Sequence, residues 1–289
     1  RRVAVRALVY ERFGGPIGVR EVPDPIAPDG GVVVRVEASG LCRSDRHAWA
    51  GHDDSVTLPH VPGHELAGTI AQVGAGVVRW QVGDRVTVPF VHGCGACAWC
   101  LAGAAQVCPS QTQPGFTDPG SHAELVAVRA ADANLVALPE AIDAAAAASL
   151  GCRFATAFRA LTSRARVQAD EWVAVWGAGG VGLSAVMIAT ALGARVIAID
   201  RSTAALDIAS ELGAEATVVA DEDALARVVE RTGGAHVSID AVGSAQTASS
   251  SVLSLRRLGR HVQVGLLAGA PPALPLDRVI GWELEVLGS

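Results

Sequence analysis

Cysteine is scarce in this chain, with six among 289 residues, and long apolar runs are missing. The weakly polar stretches, such as Ala144 to Leu150, are alanine-rich and short, whereas a bilayer-spanning helix needs about 20 apolar residues. Basic residues never gather: Arg1-Arg2 and Arg256-Arg257 are the longest clusters, and the formal net charge is −6. Nucleic acid and acidic membrane surfaces are therefore poor partners. No hydrophobic core of signal length follows Arg1-Arg2, so the pair is not read as an export signal and the reducing cytoplasm is the expected compartment. Internal repeats and low-complexity tails are also missing. Half the residues are hydrophobic and 18% charged, the balance of a globular protein with a real core. The length suggests two domains or one large one.

Four of the six cysteines, Cys94, Cys97, Cys100 and Cys108, fall within fifteen residues. Thiols set this close in a chain otherwise poor in them read as the tetrahedral ligands of one zinc ion. The disulfide reading suits short secreted domains instead. Four thiolates leave no open position on the metal, so this zinc is expected to hold a loop in shape and do no chemistry. Cys42 and Cys152 are then the cysteines left to question about catalysis.

The first 140 residues read as β-rich, with short apolar runs at Val3–Val9, Val32–Val36, Leu66–Val73, Arg85–Phe90 and Ala123–Val128 separated by Gly, Pro and Asp. From Glu140 alanine-rich helical sequence leads through Cys152, and the domain boundary is placed between residues 141 and 156, with domains of 1–150 and 151–289. Beyond Asp170 strands and helices alternate: strands at Val173–Trp176, Arg195–Ile199, Ala216–Val219, Val237–Ile239 and Arg260–Leu266, helices at Val181–Leu192 and Thr203–Leu212. Such alternation means a parallel sheet covered by helices on both faces.

Gly177, Gly179, Gly180, Val181 and Gly182 join the first of these strands to the first helix. In that context the glycines give a tight turn, a close backbone approach to a pyrophosphate, and a helix N-terminus aimed at its charge. Asp200 closes the next strand 18 positions after Gly182, where a carboxylate can accept hydrogen bonds from an adenosine ribose and repel a 2′-phosphate. The expectation is NAD in preference to NADP, with Arg201 the residue that argues the other way.

His64 lies 22 positions after Cys42, and Cys152 opens the helix between the two halves. One histidine and two cysteines supply the three-ligand set of a catalytic zinc with its fourth position open. Two thiolates, a neutral imidazole and Zn²⁺ sum to about zero charge, so an alkoxide can bind without meeting an anionic site.

Taken together, Gly40-Leu-Cys42-Arg-Ser44-Asp45, Gly63-His64-Glu65, the lobe from Cys94 to Cys108, Gly151-Cys152 with Thr156, and Gly177 to Gly182 resemble the zinc-dependent alcohol dehydrogenase branch of the medium-chain dehydrogenase/reductase superfamily. The resemblance runs from Val3 to the last residue. It implies an α/β plus β architecture: a GroES-like catalytic domain beside a doubly wound Rossmann coenzyme domain, with the active site in the cleft between them. It also implies that Cys42, His64 and Cys152 hold a catalytic zinc, with Asp45 orienting the His64 imidazole and Glu65 behind the metal. On the same resemblance Ser44 takes the substrate's proton and His47 ends a relay to solvent through the nicotinamide ribose. Arg43 fits a pyrophosphate contact, Thr156 touches the nicotinamide, and Val264, Gly265 and Leu266, on a late strand, hold the carboxamide. Trp49 and Phe90 fall at positions that line the substrate pocket. His52, His60, His92, His122, His236 and His261 receive no site.

The implied reaction is reversible oxidation of an alcohol to an aldehyde or ketone, with two zinc ions per chain and NAD. The implied assembly is a homodimer or homotetramer. Three alternatives stand beside it: a zinc-free reductase of the same superfamily, a zinc polyol dehydrogenase (which commonly has glutamate where Cys152 stands) and a non-catalytic nucleotide-binding or structural homologue. The chain has no initiator methionine and stops at Gly288-Ser289 after a strand-like Glu283–Leu287, so the C-terminal return to the catalytic domain is expected to be missing.

Overall fold

The computed structural model describes residues 4–267 and 272–289; Arg1-Arg2 and Val3, the expected start of the first strand, lie outside them. The chain divides into two compact units, Arg1–Cys152 and Arg153–Ser289.

The first unit is antiparallel. Strands β1 (Ala4–Val9) and β2 (Gly18–Pro23) form a ribbon. Strands β3 (Val32–Gly40), β4 (Glu65–Val73), β5 (Arg85–Thr87), β6 (Leu125–Val128) and β7 (Val136–Ala137) form a sheet ordered β6-β3-β4-β5-β7. Its apolar face buries Val32, Val34, Leu66, Ile70, Val86, Val126 and Val128. The helices here are short: α1 (Arg43–Trp49), α2 (Ala98–Leu101), α3 (Ala131–Asn134) and α4 (Ala144–Ala148). The sequence pattern overshoots in places: the run Arg85–Phe90 keeps strand geometry only to Thr87 and Ala123–Val128 only from Leu125.

The second unit begins with helix α5 (Ala155–Arg159), flanked by wide π turns at Leu150–Phe154 and Ala160–Arg164. Then β8 (Trp172–Trp176), α6 (Gly180–Ala191), β9 (Arg195–Asp200), α7 (Thr203–Glu211), β10 (Ala216–Val219), α8 (Ala224–Thr232), β11 (Ala235–Asp240), α9 (Ala245–Leu253), β12 (Leu255–Gln263), α10 (Leu276–Gly281) and β13 (Glu285–Gly288) follow. All pairings are parallel, in the order β10-β9-β8-β11-β12-β13, which is the doubly wound arrangement with its switch point between β8 and β11. Every residue of β8 is buried, as a strand covered by helices on both faces requires. One face packs Val173, Val175, Ala185, Ala189, Val196 and Ile239; the other packs Trp172, Ala174, Trp176, Ile197 and Val228.

One expectation is corrected. Val264, Gly265 and Leu266 are not on a strand, because β12 ends at Gln263. The N–H groups of Val264 and Gly265 both donate to the Asp240 carbonyl, at 3.0 and 2.8 Å, so the chain turns onto the end of β11 and leaves the ladder.

Candidate active site

Cys42 caps the N-terminus of α1. Its N–H donates to Asp45 Oδ2 at 2.8 Å, a side chain three residues on closing the first turn. The other oxygen, Oδ1, accepts from Gly63 N–H at 3.2 Å and lies 3.0 Å from His64 Nδ1. One buried carboxylate therefore ties the segment bearing Cys42 to the segment bearing His64. The second segment is clamped from its far side as well, where Gly120, Ser121 and His122 N–H groups donate to Val61, Gly63 and Pro62 carbonyls at 2.7 to 2.9 Å. A Cβ at Gly40 would collide with the Glu65 carboxylate, so the glycine that opens the Gly40–Asp45 motif makes room for the buried Glu65. Cys152 arrives in the π turn at Leu150–Phe154, whose Gly151 carbonyl accepts from Phe90 N–H at 3.0 Å.

The thiol sulfurs of Cys42 and Cys152, an imidazole nitrogen of His64 and a carboxylate oxygen of Glu65 all lie within 4.8 Å of one another. His64 and Glu65 are fully buried. His64 Nε2 is buried without a hydrogen-bond partner while Nδ1 faces Asp45. Leaving such a nitrogen unpaired costs about 1–3 kcal/mol, and a metal ion on Nε2, with Nδ1–H donated to a carboxylate, removes that cost. The residues therefore fit a metal.

The metal-free electrostatics point the same way. The hydrogen bond from Cys152 does most to lower the Cys42 thiol to about 3; burial opposes it, and His64 and the Ser44 backbone assist. Burial disfavours charge on His64, but Asp45 and Cys42 outweigh it and raise the imidazole to about 9. Both shifts favour a thiolate beside a positive group, the charge arrangement a bound cation would meet. Ser44 Oγ lies 3.7 Å from Cys42 Sγ, and the Phe90 ring stands edge-on to His64 with centroids 6.3 Å apart.

The other cysteine group is local in sequence, with Cys108 buried and the remaining three partly exposed. Cys94 and Cys100 sulfurs are 4.0 Å apart, Cys97 and Cys108 sulfurs 3.7 Å, and all four lie within 4.8 Å of one another. Zn–S bonds of about 2.3 Å in a tetrahedron place sulfurs about 3.8 Å apart, so this set also fits. Backbone N–H groups of Cys97, Cys100 and Cys94 each point at a neighbouring sulfur at 3.4 Å. None of the six cysteines is in a disulfide.

In the parallel unit the turn after β8 carries the glycines. Gly177 adopts φ of +99°, and a Cβ at Gly182 would collide with the Gly177 carbonyl. Gly179 caps α6, which continues with Gly180 and Val181. Asp200 at the end of β9 accepts from Ala178 N–H at 2.7 Å and from Ser202 N–H at 2.8 Å, so the acidic residue is tied to the glycine turn. Arg201 is exposed beside it. Asp240 Oδ1 accepts from Val242 and Gly243 N–H while Oδ2 takes Gln263 Nε2–H and Thr247 Oγ–H, at 2.9 to 3.1 Å. This network fixes the turn that Val264, Gly265 and Leu266 pack against. Thr156, in α5, has its carbonyl bonded by Ser289 Oγ–H.

Of the remaining expected residues, Arg43 is exposed on α1 and His47 is half-buried in its last turn. Trp49 donates its indole N–H to the Gly15 carbonyl at 2.8 Å and packs with Tyr10, Ala48, Val56 and Phe116. Two features escape the sequence reading. His52 meets His47, Nδ1 to Nδ1 at 3.1 Å; its spacing of five across a turn was the available signal. Ser39 Oγ bonds Ser121 Oγ and His122 Nδ1 at 2.7 and 2.9 Å behind the His64 segment, and a separation of more than 80 residues gives no signal.

An antiparallel unit with a buried thiol–imidazole cluster and a four-cysteine lobe, followed in the chain by a doubly wound unit with a glycine turn, defines a zinc-binding dehydrogenase. Residues 28–140 match the alcohol dehydrogenase GroES-like domain and residues 180–289 the zinc-binding dehydrogenase domain. Alcohol dehydrogenases of Geobacillus stearothermophilus and Rhizobium meliloti are 36% and 37% identical over 99% of this chain and 84% of their own. The solved alcohol dehydrogenase TADH from Thermus sp. ATN1 superposes with a TM-score of 0.91 at 32% identity, covering 98% of this chain and 84% of that one. For the alcohol dehydrogenase from Aeropyrum pernix the TM-score is 0.90 at 31% identity, covering 98% and 85%. The chain belongs to the zinc-dependent alcohol dehydrogenase family of the medium-chain dehydrogenase/reductase superfamily.

Proposed function

We propose that this protein interconverts an alcohol with its aldehyde or ketone, using NAD and two zinc ions per chain, one catalytic and one structural. The observation that carries the reading is the convergence of partly exposed Cys42 with buried His64 and Cys152, with His64 Nε2 orphaned and Nδ1 held by Asp45. Cys42 and Cys152 would ligate as thiolates and His64 through neutral Nε2, with Glu65 behind them. When bound, the zinc supplies a Lewis acid to the substrate oxygen and the nicotinamide supplies the hydride acceptor. Ser44, beside the Cys42 sulfur, receives the substrate hydroxyl proton, and His47 passes it toward solvent. Burial, then the charges of His52, Arg43 and Arg46, hold His47 below its ordinary value, so at neutral pH it is a base able to accept a proton.

Gly177, Gly179, Gly180, Val181 and Gly182 would cradle the pyrophosphate with help from Arg43; Asp200 would bond the adenosine ribose, with Arg201 beside it. Thr156 and the backbone of Val264, Gly265 and Leu266 would hold the nicotinamide. Phe90 and Trp49 are the proposed pocket wall. The carboxylate of Asp200 favours NAD over NADP.

Two zinc–thiolate sites suit a reducing cytoplasm, and among the described residues no helix is long and apolar enough to cross a membrane. The proposed assembly is a homodimer or homotetramer, measurable by light scattering.

Replacing Cys42 or Cys152 by Ala tests the reading. Each variant should lose turnover and one zinc per chain; turnover retained with that zinc gone would refute it. The substrate panel should span primary, secondary and aromatic alcohols and a pentose, since one solved neighbour at 29% identity is a D-arabinose dehydrogenase.

A further inference from the structure

The chain turns back on itself just after α1. Gly51 takes φ of +78°, its N–H donates to the Ala48 carbonyl at 3.1 Å, and the next N–H, that of His52, donates to the His47 carbonyl at 3.0 Å. These backbone bonds bring the two imidazoles together with centroids 5.4 Å apart, planes tilted by 45°, and Nδ1 atoms 3.1 Å apart. Two imidazole nitrogens bond at that distance only when one carries hydrogen and the other a free lone pair. The pair therefore shares one hydrogen along the Nδ1–Nδ1 line. His47 is half-buried and His52 exposed, so that line runs outward.

We propose that His52 is the outlet of the proton path, receiving from His47 the proton released by the alcohol. This rests on the reading of His47 given above. A proton arrives on His47 Nε2, the one on His47 Nδ1 moves to His52 Nδ1, and the one on His52 Nε2 leaves to water or buffer. One proton enters for each that leaves, and no bond between heavy atoms changes. The charges facing His47 fit such transit: Arg43 and Arg46 from α1 and His52 from the turn disfavour a lasting imidazolium, against a small opposing pull from Cys42. Burial and these charges together hold His47 below its ordinary value, so it gives up an added proton readily. His52 acts through His47, and its loss should affect proton traffic without removing a zinc ligand or a cofactor contact.

The test mixes the zinc-loaded protein with NAD⁺ and an alcohol substrate in weak buffer containing a pH-indicator dye, by stopped flow. Wild type should release its proton at a rate independent of buffer. His52→Gln should release it roughly tenfold more slowly or worse, and added imidazole should restore most of the rate. A second readout needs no turnover: NMR titration of the His47 ring in the zinc-loaded protein without NAD⁺, which should move upward in His52→Gln as a neighbouring positive charge is removed. Zinc content equal to wild type shows that the variant is folded. An unchanged release rate, a slowed rate that imidazole fails to restore, or an unmoved His47 titration would each overturn the proposal. If wild type itself releases no proton, it does not oxidise the alcohol, and the proposed function fails together with the outlet role. If wild type releases one and only the His52 variant behaves as wild type, the outlet role fails alone.

Discussion

Replacing Asp45 by Asn should weaken zinc binding at the Cys42–His64–Cys152 site in a way that depends on pH. The carboxylate makes three contacts at 2.8 to 3.2 Å, to Cys42 N–H, Gly63 N–H and His64 Nδ1. Asn keeps one acceptor and puts an NH₂ donor where a second was needed. Loss of a partner behind a metal ligand costs about 10–100-fold in affinity, or about 1.4–2.8 kcal/mol. A second effect runs the other way. In the metal-free wild type, His64 is raised from 6.5 to about 9, burial opposing and Asp45 with Cys42 prevailing, so zinc must expel a proton. At pH 7 that expulsion costs roughly 2–3 kcal/mol, at about 1.4 kcal/mol per pH unit below the folded value. The sign follows from linkage: a raised histidine stabilises the metal-free fold below pH 6.5, and the benefit is lost as pH rises through about 9. Asp45→Asn removes the main support for that imidazolium, so the variant escapes most of the expulsion cost. The two effects nearly cancel at pH 7, and only the lost orientation remains above pH 9. Zinc affinity measured by chelator competition should therefore differ little at pH 7 and by about 10–100-fold at pH 9.5, with the four-cysteine lobe as an unchanging internal reference. A deficit of equal size at both pH values would refute the reasoning.

Other expectations follow from the same geometry. Cys97→Ser should remove one zinc and leave the other; opening a clamp on a 15-residue loop removes about 3 kcal/mol by the loop-closure estimate, or roughly 5–10 °C of Tm, read by metal analysis and calorimetry. Gly182→Ala drives a Cβ into the Gly177 carbonyl and should weaken NADH binding by about tenfold or more, measured by fluorescence titration. Asp200→Ser should raise kcat/KM for NADPH relative to NADH by about tenfold or more while lowering both, because the carboxylate also holds Ala178 N–H; a wild type faster with NADPH would refute the NAD assignment. His47→Gln should slow alcohol oxidation near neutral pH and recover in part at alkaline pH, and an unchanged pH profile would remove His47 from the relay.

How much of this was legible in the chain depends on whether the partners lie near one another in sequence. The cysteine lobe could be read outright, because all four donors fall within one short loop and its shape follows from their spacing. The βαβ alternation could be read because buried parallel strands such as Trp172–Trp176 are continuous apolar runs. β2 could not: Gly18–Pro23 carries charges, is mostly exposed, and becomes a strand only through its pairing with β1. α1 was hidden for another reason, since its seven residues answer to the cap made by Asp45 and not to an apolar stripe. The end of β12 was overshot because Val264 and Leu266 look like strand residues; the Asp240 carbonyl that draws the chain off the ladder lies more than 20 positions earlier. Cys42 and Cys152 could be singled out by subtraction once the lobe had claimed the other four cysteines, and His64 completed a three-ligand set; that the three meet could not be read locally, since no local pattern links a helix cap, a strand entry and a π turn.

The two candidate metal clusters use similar donors and are held in opposite ways. In the lobe each of three sulfurs accepts a backbone N–H from a neighbouring cysteine, so the ligands depend on the loop and the loop on the ligands. In the buried cluster the donors are placed by groups that bind no metal: Asp45 from α1, the Gly120–His122 segment behind Gly63, and the Gly151 turn against Phe90. None of those supporting bonds runs through a metal ligand atom. A site that must exchange a ligand at each turnover needs such independence, because coordination changes while geometry must not. A site that only fixes a loop does not need it. The difference in how the sulfurs are supported, more than the sulfurs themselves, separates the cluster suited to chemistry from the one suited to shape.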